Sequence, residues 1–336
     1  PVRLTAGLSK RDQLFIVAAD SDPFNRWETS QDLARDVMLE TMRALEQGAG
    51  AADPDEFARA IGATLDDDRL EPAFLALMLA PPSESDMAAE IGSNVDPDLI
   101  HEARESLKAS LGRALSERLE RIWEQGGEAG AYSPDAESAG RRALRHAALA
   151  LMAAADPAAG ATRAFDQFRN ARHMTDAIGA LGVLTGLDRP ERHEALEAFH
   201  EANRDDPLIV DKWLALNAQV PLGATVERVR DLMQHTAFDL KRPNRVRALI
   251  GTFANANPVA FNRADGAGYR LLAEVVVALD AFNPQVAARL ATAFRSWRML
   301  EPKRQRLAKE ALEQVAGEPK LSRDTSEIVT RCLSAQ

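Results

Sequence analysis

Apolar residues recur at three- and four-residue steps through nearly the whole chain, the period of helices that bury one face. Alanine, leucine, glutamate and arginine dominate, and these are strong helix formers. Helix starts are marked by a capping side chain, often followed by proline. Ser9 precedes KRDQLFIVAAD, and Asp22-Pro23 opens a helix through Trp27, Leu33, Val37 and Met38. Asp53-Pro54, Asp96-Pro97 and Ser133-Pro134 repeat that arrangement. The longest predicted helix runs from Asp96 to Gln125, with Leu99, Ala103, Leu107, Leu111, Leu115, Leu119 and Ile122 as its apolar stripe. EQGGEAGAYSPD then breaks it. Further helices are predicted over 135–155, 161–171, 174–186, 190–204, 207–217, 224–235, 243–255, 266–281, 284–299, 302–315 and 322–334. The exception is PVRLTAG at the start, a short β-compatible stretch.

Many helices, brief turns and no strands to order them predict an all-α fold of antiparallel helix pairs. Pairs succeed one another about every 35–45 residues, the range of armadillo- or HEAT-like units. The expected architecture is a solenoid-like stack or curved bundle. The 336 residues, 46% of them apolar, can bury one large core or two smaller ones. A net charge of −10 argues against nucleic acid as a partner, since phosphate binding needs a concentrated basic face. Cys332 is the one cysteine, which excludes an internal disulfide framework and fits a cytoplasmic, reducing compartment. No apolar run approaches the roughly 20 residues that span a bilayer, so no membrane partner is expected. PVRLTAGLSKRDQ has neither an initiator Met nor an export-signal layout and is read as a start inside a longer protein.

HEALEAFHEA, His193 to Ala202, resembles the H-E-x-x-H zinc pattern without matching it. Glu197 stands where the second imidazole belongs. His200 is seven residues from His193, roughly 10 Å along a helix, too far for one zinc with bonds of about 2 Å. No two of the six histidines have metal-ligand spacing; surface or cap positions are expected for each, and the acidic neighbours of His193 and His200 would raise their pKa values. DGAG, Asp265 to Gly268, lacks the lysine of a phosphate loop and is read as a connector. Trp213 has the spacing of a core residue. Arg245 and Arg247 fall in the first turn of the 243–255 helix, where the macrodipole favours acids. Cations kept there are either exposed or serve to hold a carboxylate. Asn283-Pro284 starts another helix, with Gln285 and Arg289 four apart on one face.

QFRNARHMTDAIGAL (167–181), DKWLALNAQ (211–219), VRDLMQH (229–235), RPNRVRALIGTFANANPVAFNRADGAGYRLLAEVVVALD (242–280), NPQVAARLATAF (283–294) and KRQRLAKEALEQ (303–314) together resemble the C-terminal region of the bacterial aminopeptidase N family. DPFNRWETSQDLA (22–34), LEPAFLALMLAPPSESDMA (70–88) and DPDLIHEARESL (96–107) fit as well, so the resemblance covers almost the whole chain. It implies a remnant of a preceding β sandwich over residues 1–8. Residues 9–336 would be a helical C-terminal domain, a right-handed armadillo-like stack of helix pairs curved into a bowl. It further implies a hydrolase with one zinc ion in the parent enzyme, the catalytic domain of the same chain as partner, and peptides as substrates. The family's zinc and free-amine motifs do not occur here, so no catalytic or metal residue and no cofactor is assigned to this chain. By motif, Gln285 corresponds to a glutamine bordering the pocket for the first substrate residue. Arg289 corresponds to an arginine near the far end of the peptide, and Arg247 to another arginine of the substrate chamber. Helical period and acidic charge suit equally well a free-standing helical-repeat scaffold that binds a partner protein.

Overall fold

The computed structural model describes residues 7–127 and 132–334. Gly7 to Ser9 form no regular element, and the rest of the segment expected to be β-like lies outside the described residues, as do residues 128–131 of the expected break. The chain begins with α1 (Lys10–Ala19), α2 (Pro23–Glu46), α3 (Asp55–Leu65), α4 (Pro72–Met78), α5 (Glu84–Ile91), α6 (Pro97–Ala114) and α7 (Ser116–Gln125). Next come α8 (Ala136–Ala155), α9 (Pro157–Arg169), α10 (Met174–Thr185), α11 (Pro190–Asn203), α12 (Pro207–Ala218), α13 (Thr225–Met233) and α14 (Pro243–Val246). A π turn, Arg247–Gly251, leads into α15 (Thr252–Ala256) and α16 (Pro258–Phe261). Then follow α17 (Ala267–Asp280), α18 (Pro284–Ala291), a 3-10 segment Thr292–Met299, α19 (Pro302–Ala316) and α20 (Arg323–Ser334). Among the described residues the sole β feature is an isolated parallel bridge between Val95 and Leu300.

Capping explains most of the starts. Ser9 accepts from the Asp12 N–H while the Asp12 carboxylate accepts from the Ser9 N–H, a reciprocal capping box. Asp22, Asp156, Asp206, Asn257, Asn283 and Glu301 each cap a helix whose first residue is proline. Such a cap stabilises a helix by about 1 kcal/mol. Two expected caps lie elsewhere. Asp135, not Ser133, accepts from the Ser138 N–H and starts α8. Asp53 accepts from the Asp55 N–H, with Pro54 rather than Asp53 at the cap position of α3.

The chain folds as two compact units, one of residues 1–83 with 99–191 and one of residues 84–98 with 192–336. In the first, α1 packs on α2 and α3, α4 and α7 pack on α8, and α9 lies between α8 and α10. The predicted 96–125 helix is in fact α6 and α7, separated at Leu115. There both Arg118 N–H and Leu119 N–H bond to the Leu115 carbonyl, a tightened turn. Leu107, Leu111, Leu115 and Leu119 nevertheless stay buried. Gly112 is a close-approach site, because a Cβ there would stand 2.1 Å from the Leu151 carbonyl oxygen.

In the second unit α17 packs on α18 and α19, and α18 and α19 pack on α20. Its centre includes Phe253, Phe261, Tyr269 and Phe294, with Phe261 edge-on to Phe253 at 5.9 Å and to Tyr269 at 5.3 Å. One other feature departs from a helix read in the sequence. The predicted 284–299 helix changes to 3-10 geometry at Thr292, where Trp297 and Arg298 turn to donate to the last carbonyls of α20, Cys332 and Leu333. Asn257 breaks the helix before α16, because its buried amide donates to the Ala218 and Val220 carbonyls.

Segment 84–98 joins this unit through a buried arginine. Arg304, 3% exposed, donates from Nε to the Asn262 carbonyl at 2.5 Å, from Nη1 to Asp96 at 3.1 Å and from Nη2 to Asp98. Beside it, Val95 N–H donates to Met299 O at 2.8 Å and Glu301 N–H donates to Val95 O at 2.9 Å. Asp280, at the end of α17, accepts from Ser322 N–H at 2.6 Å and from the hydroxyls of Ser322 and Thr325 at 2.5 Å, tying down the start of α20. Burial pushes the Asp280 carboxyl up, but the Ser322 and Thr325 donors outweigh it and hold its pKa below 3.8.

Arg304→Ala is expected to lower the unfolding free energy by about 3 kcal/mol in urea, as for a broken buried ion pair; a loss under about 1 kcal/mol would contradict the role given to it. Because Asp280 has a lowered folded pKa, its contribution is present above 3.8 and is lost as pH falls through the folded value. The stability gap between wild type and Asp280→Asn should therefore be widest near neutrality and close progressively in acid. Urea titrations over that range measure it, and a gap constant with pH would refute it.

Candidate functional site

Each sequence-assigned site residue lies in the second unit. On α18 the buried positions are Val286, Ala287, Ala288, Leu290 and Ala291, packed toward α17 and α20. This leaves Gln285 and Arg289 exposed on the opposite face, about 6 Å apart along the axis. Asn283 caps the helix through its 3.3 Å contact with the Val286 N–H. Among the described residues neither the Gln285 amide nor the Arg289 guanidinium has a hydrogen-bond or ionic partner.

The two cations at the start of the 243–255 helix have opposite fates. Arg245, 6% exposed, reaches back to α12 and donates to Asp211 at 2.5 Å and to the Pro207 carbonyl at 2.7 Å. It holds a carboxylate of the protein itself. Arg247 is exposed and donates to its neighbour Asn244 at 3.2 Å. It opens the π turn, in which Thr252 N–H reaches the Arg247 carbonyl. Such single wide turns are frequent at functional sites. A Cβ at Gly251 would stand 3.9 Å from both the Arg247 Cβ and the Leu290 δ carbon, so the turn bearing Arg247 runs alongside α18. The structure thus sets the turn bearing Arg247 beside α18, the helix that carries Gln285 and Arg289, and assigns Arg245 to the framework.

HEALEAFHEA lies on α11 and has no metal-binding geometry. Glu197 accepts from Arg228 at 3.1 Å, and Arg228 also donates to buried Asn217 at 3.0 Å. His193 is exposed at the rim of a pocket of about 200 Å³ shared with Arg192, Leu196, Asn217 and Arg228. His200 stacks on Trp213 with ring centroids 4.1 Å apart. Its pKa is lowered, by burial first and by His235 second, despite Glu197 and Glu201. The expected upward shift is therefore corrected: removal from water outweighs the acidic helix face. Trp213 is core, as its spacing indicated. Only the first half of DGAG is a connector: Asp265 accepts from Arg263 and from Ala267 N–H, Gly266 takes a left-handed φ of 75°, and Ala267 and Gly268 already belong to α17.

Two groupings of histidines were not visible in the sequence. His200, Trp213 and His235 meet from three elements, with His235 5.2 Å from His200 and 5.3 Å from Trp213. In the first unit Asp176, 8% exposed, faces His146 at 3.3 Å, His173 at 3.4 Å and Arg145 at 3.7 Å. His173 caps α10 by accepting from Asp176 N–H. His173 lies three residues before Asp176, but no local spacing signals that Arg145 and His146 reach the same carboxylate or that His200, Trp213 and His235 meet, since those partners come from different elements. Among the described residues no three His, Cys, Asp or Glu side chains could hold a metal ion, and no helix is long and apolar enough to cross a membrane.

Residues 10–334 match the family described as a domain of unknown function, DUF3458_C, with ARM repeats. Aminopeptidase N of Caulobacter vibrioides is 40% identical over 336 residues, which is 99% of this chain and 38% of that protein. Aminopeptidase N of Escherichia coli is 34% identical over 334 residues, with the same coverage of 99% and 38%. The chain therefore spans well under half the length of these curated relatives, as a C-terminal part. A crystal structure of Legionella pneumophila aminopeptidase A in complex with aspartic acid superimposes with a TM-score of 0.87 at 26% identity, over 97% of this chain and 38% of that one.

Since Arg247 and Arg289 support no framework contact beyond Asn244, replacing either by Ala should change stability by no more than about 0.5 kcal/mol. Arg245→Ala should cost about 3 kcal/mol, because it leaves Asp211 and a helix-start carbonyl without their donor. Thermal unfolding of the three variants checks this, and equal losses at all three positions would refute the division.

Proposed function

The chain belongs to the DUF3458_C family of ARM-repeat domains, and we propose that it is the C-terminal domain of a zinc aminopeptidase that removes N-terminal residues from peptides. The observation that carries this reading is the similarity to aminopeptidase N over 99% of the chain at 40% identity. The residues present do not fit the zinc: position 197 is glutamate where the pattern needs histidine, and that glutamate is engaged by Arg228. The metal and the general base would be supplied by the catalytic domain of the same polypeptide, outside this chain. This domain would act as a bowl over that catalytic domain, limit access to an internal chamber and provide part of its wall. A cytoplasmic enzyme fits the single, buried thiol of Cys332.

The exposed side chains suit that work. A peptide positioned for removal of its first residue presents a carboxylate at its far end. A guanidinium can hold a carboxylate through two parallel hydrogen bonds. Among the described residues Arg289 has no partner and Arg247 is engaged only by the neutral Asn244, so both are available for this. Gln285, one helical turn before Arg289, offers a neutral donor and acceptor closer to the first substrate residue.

In the full-length enzyme Arg289→Ala should raise KM for short peptides roughly tenfold, the loss of one charge-assisted hydrogen bond. Turnover of a chromogenic alanine amide, which has no carboxylate, should be little changed. Gln285→Ala should alter first-residue preference. The isolated chain should fold and hydrolyse neither substrate. Zinc-dependent hydrolysis by the pure chain, or unchanged peptide kinetics in both variants, would overturn the assignment.

A further inference from the structure

The three-ring cluster in the second unit stands on segments that nothing else in the proposed function uses. His200 belongs to the last turns of α11 and Trp213 to α12, while His235 lies in the connector that runs from α13 to Arg245 and Arg247. Trp213 is 1% exposed, and both imidazoles are half-buried against it, so they remain open to proton exchange with water. We propose that His200, Trp213 and His235 form an acid-released clasp that holds the 234–242 connector, and through it the turn bearing Arg247, in place until both imidazoles are protonated.

Three features of the geometry give this direction. First, the Nδ1 atom of His235 accepts the Ala237 N–H at 3.1 Å. An imidazolium carries protons on both nitrogens and cannot accept. Protonation of His235 therefore removes the bond that shapes its own turn. Second, the rings of His200 and His235 are 5.2 Å apart, so a charge on each would be opposed by the other with little water between them. An imidazolium on the indole face is favourable by itself. One charge can thus be accommodated, while two cannot. Third, the surrounding charges do not offset the repulsion. From α11 His200 sees Glu197, Glu201 and Arg204, and Glu197 is engaged by Arg228 of α13. From α12 it faces uncharged Trp213, while Asp211 of that helix is engaged by Arg245.

Burial and His235 together hold the His200 pKa below its ordinary value of 6.5. A lowered folded pKa means that stability is complete above 6.5 and is lost as pH falls through the folded value. Below Arg242 the connector continues directly into α14, whose Arg245 clamp on Asp211 keeps the helix start attached. Release at His235 accordingly frees residues 234–242 without unfolding α14. The consequence for Arg247 rests on its proposed role as a substrate contact; the clasp itself does not.

The test uses this chain. Protonated imidazole quenches a stacked indole, so Trp fluorescence should fall with a midpoint below 6.5. That transition should vanish in Trp213→Phe. Because Trp213 is buried, a second variant is needed. His200→Gln with His235→Asn keeps neutral side chains, and the Asn oxygen can replace Nδ1 as acceptor for Ala237. Hydrogen exchange of the peptide covering 234–243 is then compared between wild type and this double variant at about pH 5.5 and about pH 8, either side of the imidazole range. The expected result is severalfold faster exchange in wild type at the acidic pH alone, with the rest of the chain unchanged. Equal exchange in both proteins at both pH values, or a fluorescence transition that survives Trp213→Phe, would overturn the clasp. If the clasp holds but Arg247→Ala leaves peptide kinetics of the full-length enzyme unchanged, only the functional reading of Arg247 fails.

Discussion

A guanidinium buried away from water draws carbonyl and carboxylate acceptors to it, and among the described helices this demand ties together segments that are far apart in the chain. Arg304 is the strongest case: from the start of α19 it holds Asp96 and Asp98, more than two hundred residues away, together with the Asn262 carbonyl. Because water cannot replace those acceptors at 3% exposure, the 84–98 segment has to be built into the second unit for that unit to be complete. The parallel bridge of Val95 with Leu300 then follows from the same juxtaposition. Arg26 does similar work in the first unit, where it donates to the Asp20 carbonyl at 2.6 Å and to Asp67 at 2.9 Å. Arg245 does so between α14 and α12.

The same chemistry separates framework arginines from arginines available to a ligand. Arg245 and Arg247 are two residues apart in one helix start, yet one is enclosed by α12 and the other faces solvent. In a helix, positions two apart differ by about 200° around the axis, so one side of the chain supplies structure and the other a surface. The π turn begins at Arg247. On α18 the small residues Ala287, Ala288 and Ala291 allow close packing, and Gln285 and Arg289 are left on the outer face. Presenting Gln285 and Arg289 to solvent requires no special backbone beyond that.

Helix starts were legible because capping is local. A side-chain oxygen satisfies an N–H two or three residues ahead, and proline needs no donor at the first position. Asp22, Asp206, Asn283 and Glu301 obey this rule. Errors arose where a long-range contact overrode it. Leu115 divides an uninterrupted leucine stripe, and Thr292 changes the helix type so that Trp297 and Arg298 can reach α20. The expected rise in the His200 pKa failed for the same reason. Its acidic neighbours are adjacent in sequence, while Trp213 and His235, which remove it from water, are not.

By itself the sequence determined an all-helical chain, most of its helix starts, the faces those helices bury, and the absence of an H-E-x-x-H site. Each of these depends on residues within one or two turns of one another. Only the tertiary structure decided that Arg245 is enclosed and Arg247 exposed, that Arg304 and Asp280 anchor distant segments, and that His200, Trp213 and His235 share one cluster. These are outcomes of desolvation. How far a charge is removed from water depends on what packs over it, and that is set by helices which the chain brings together from remote positions.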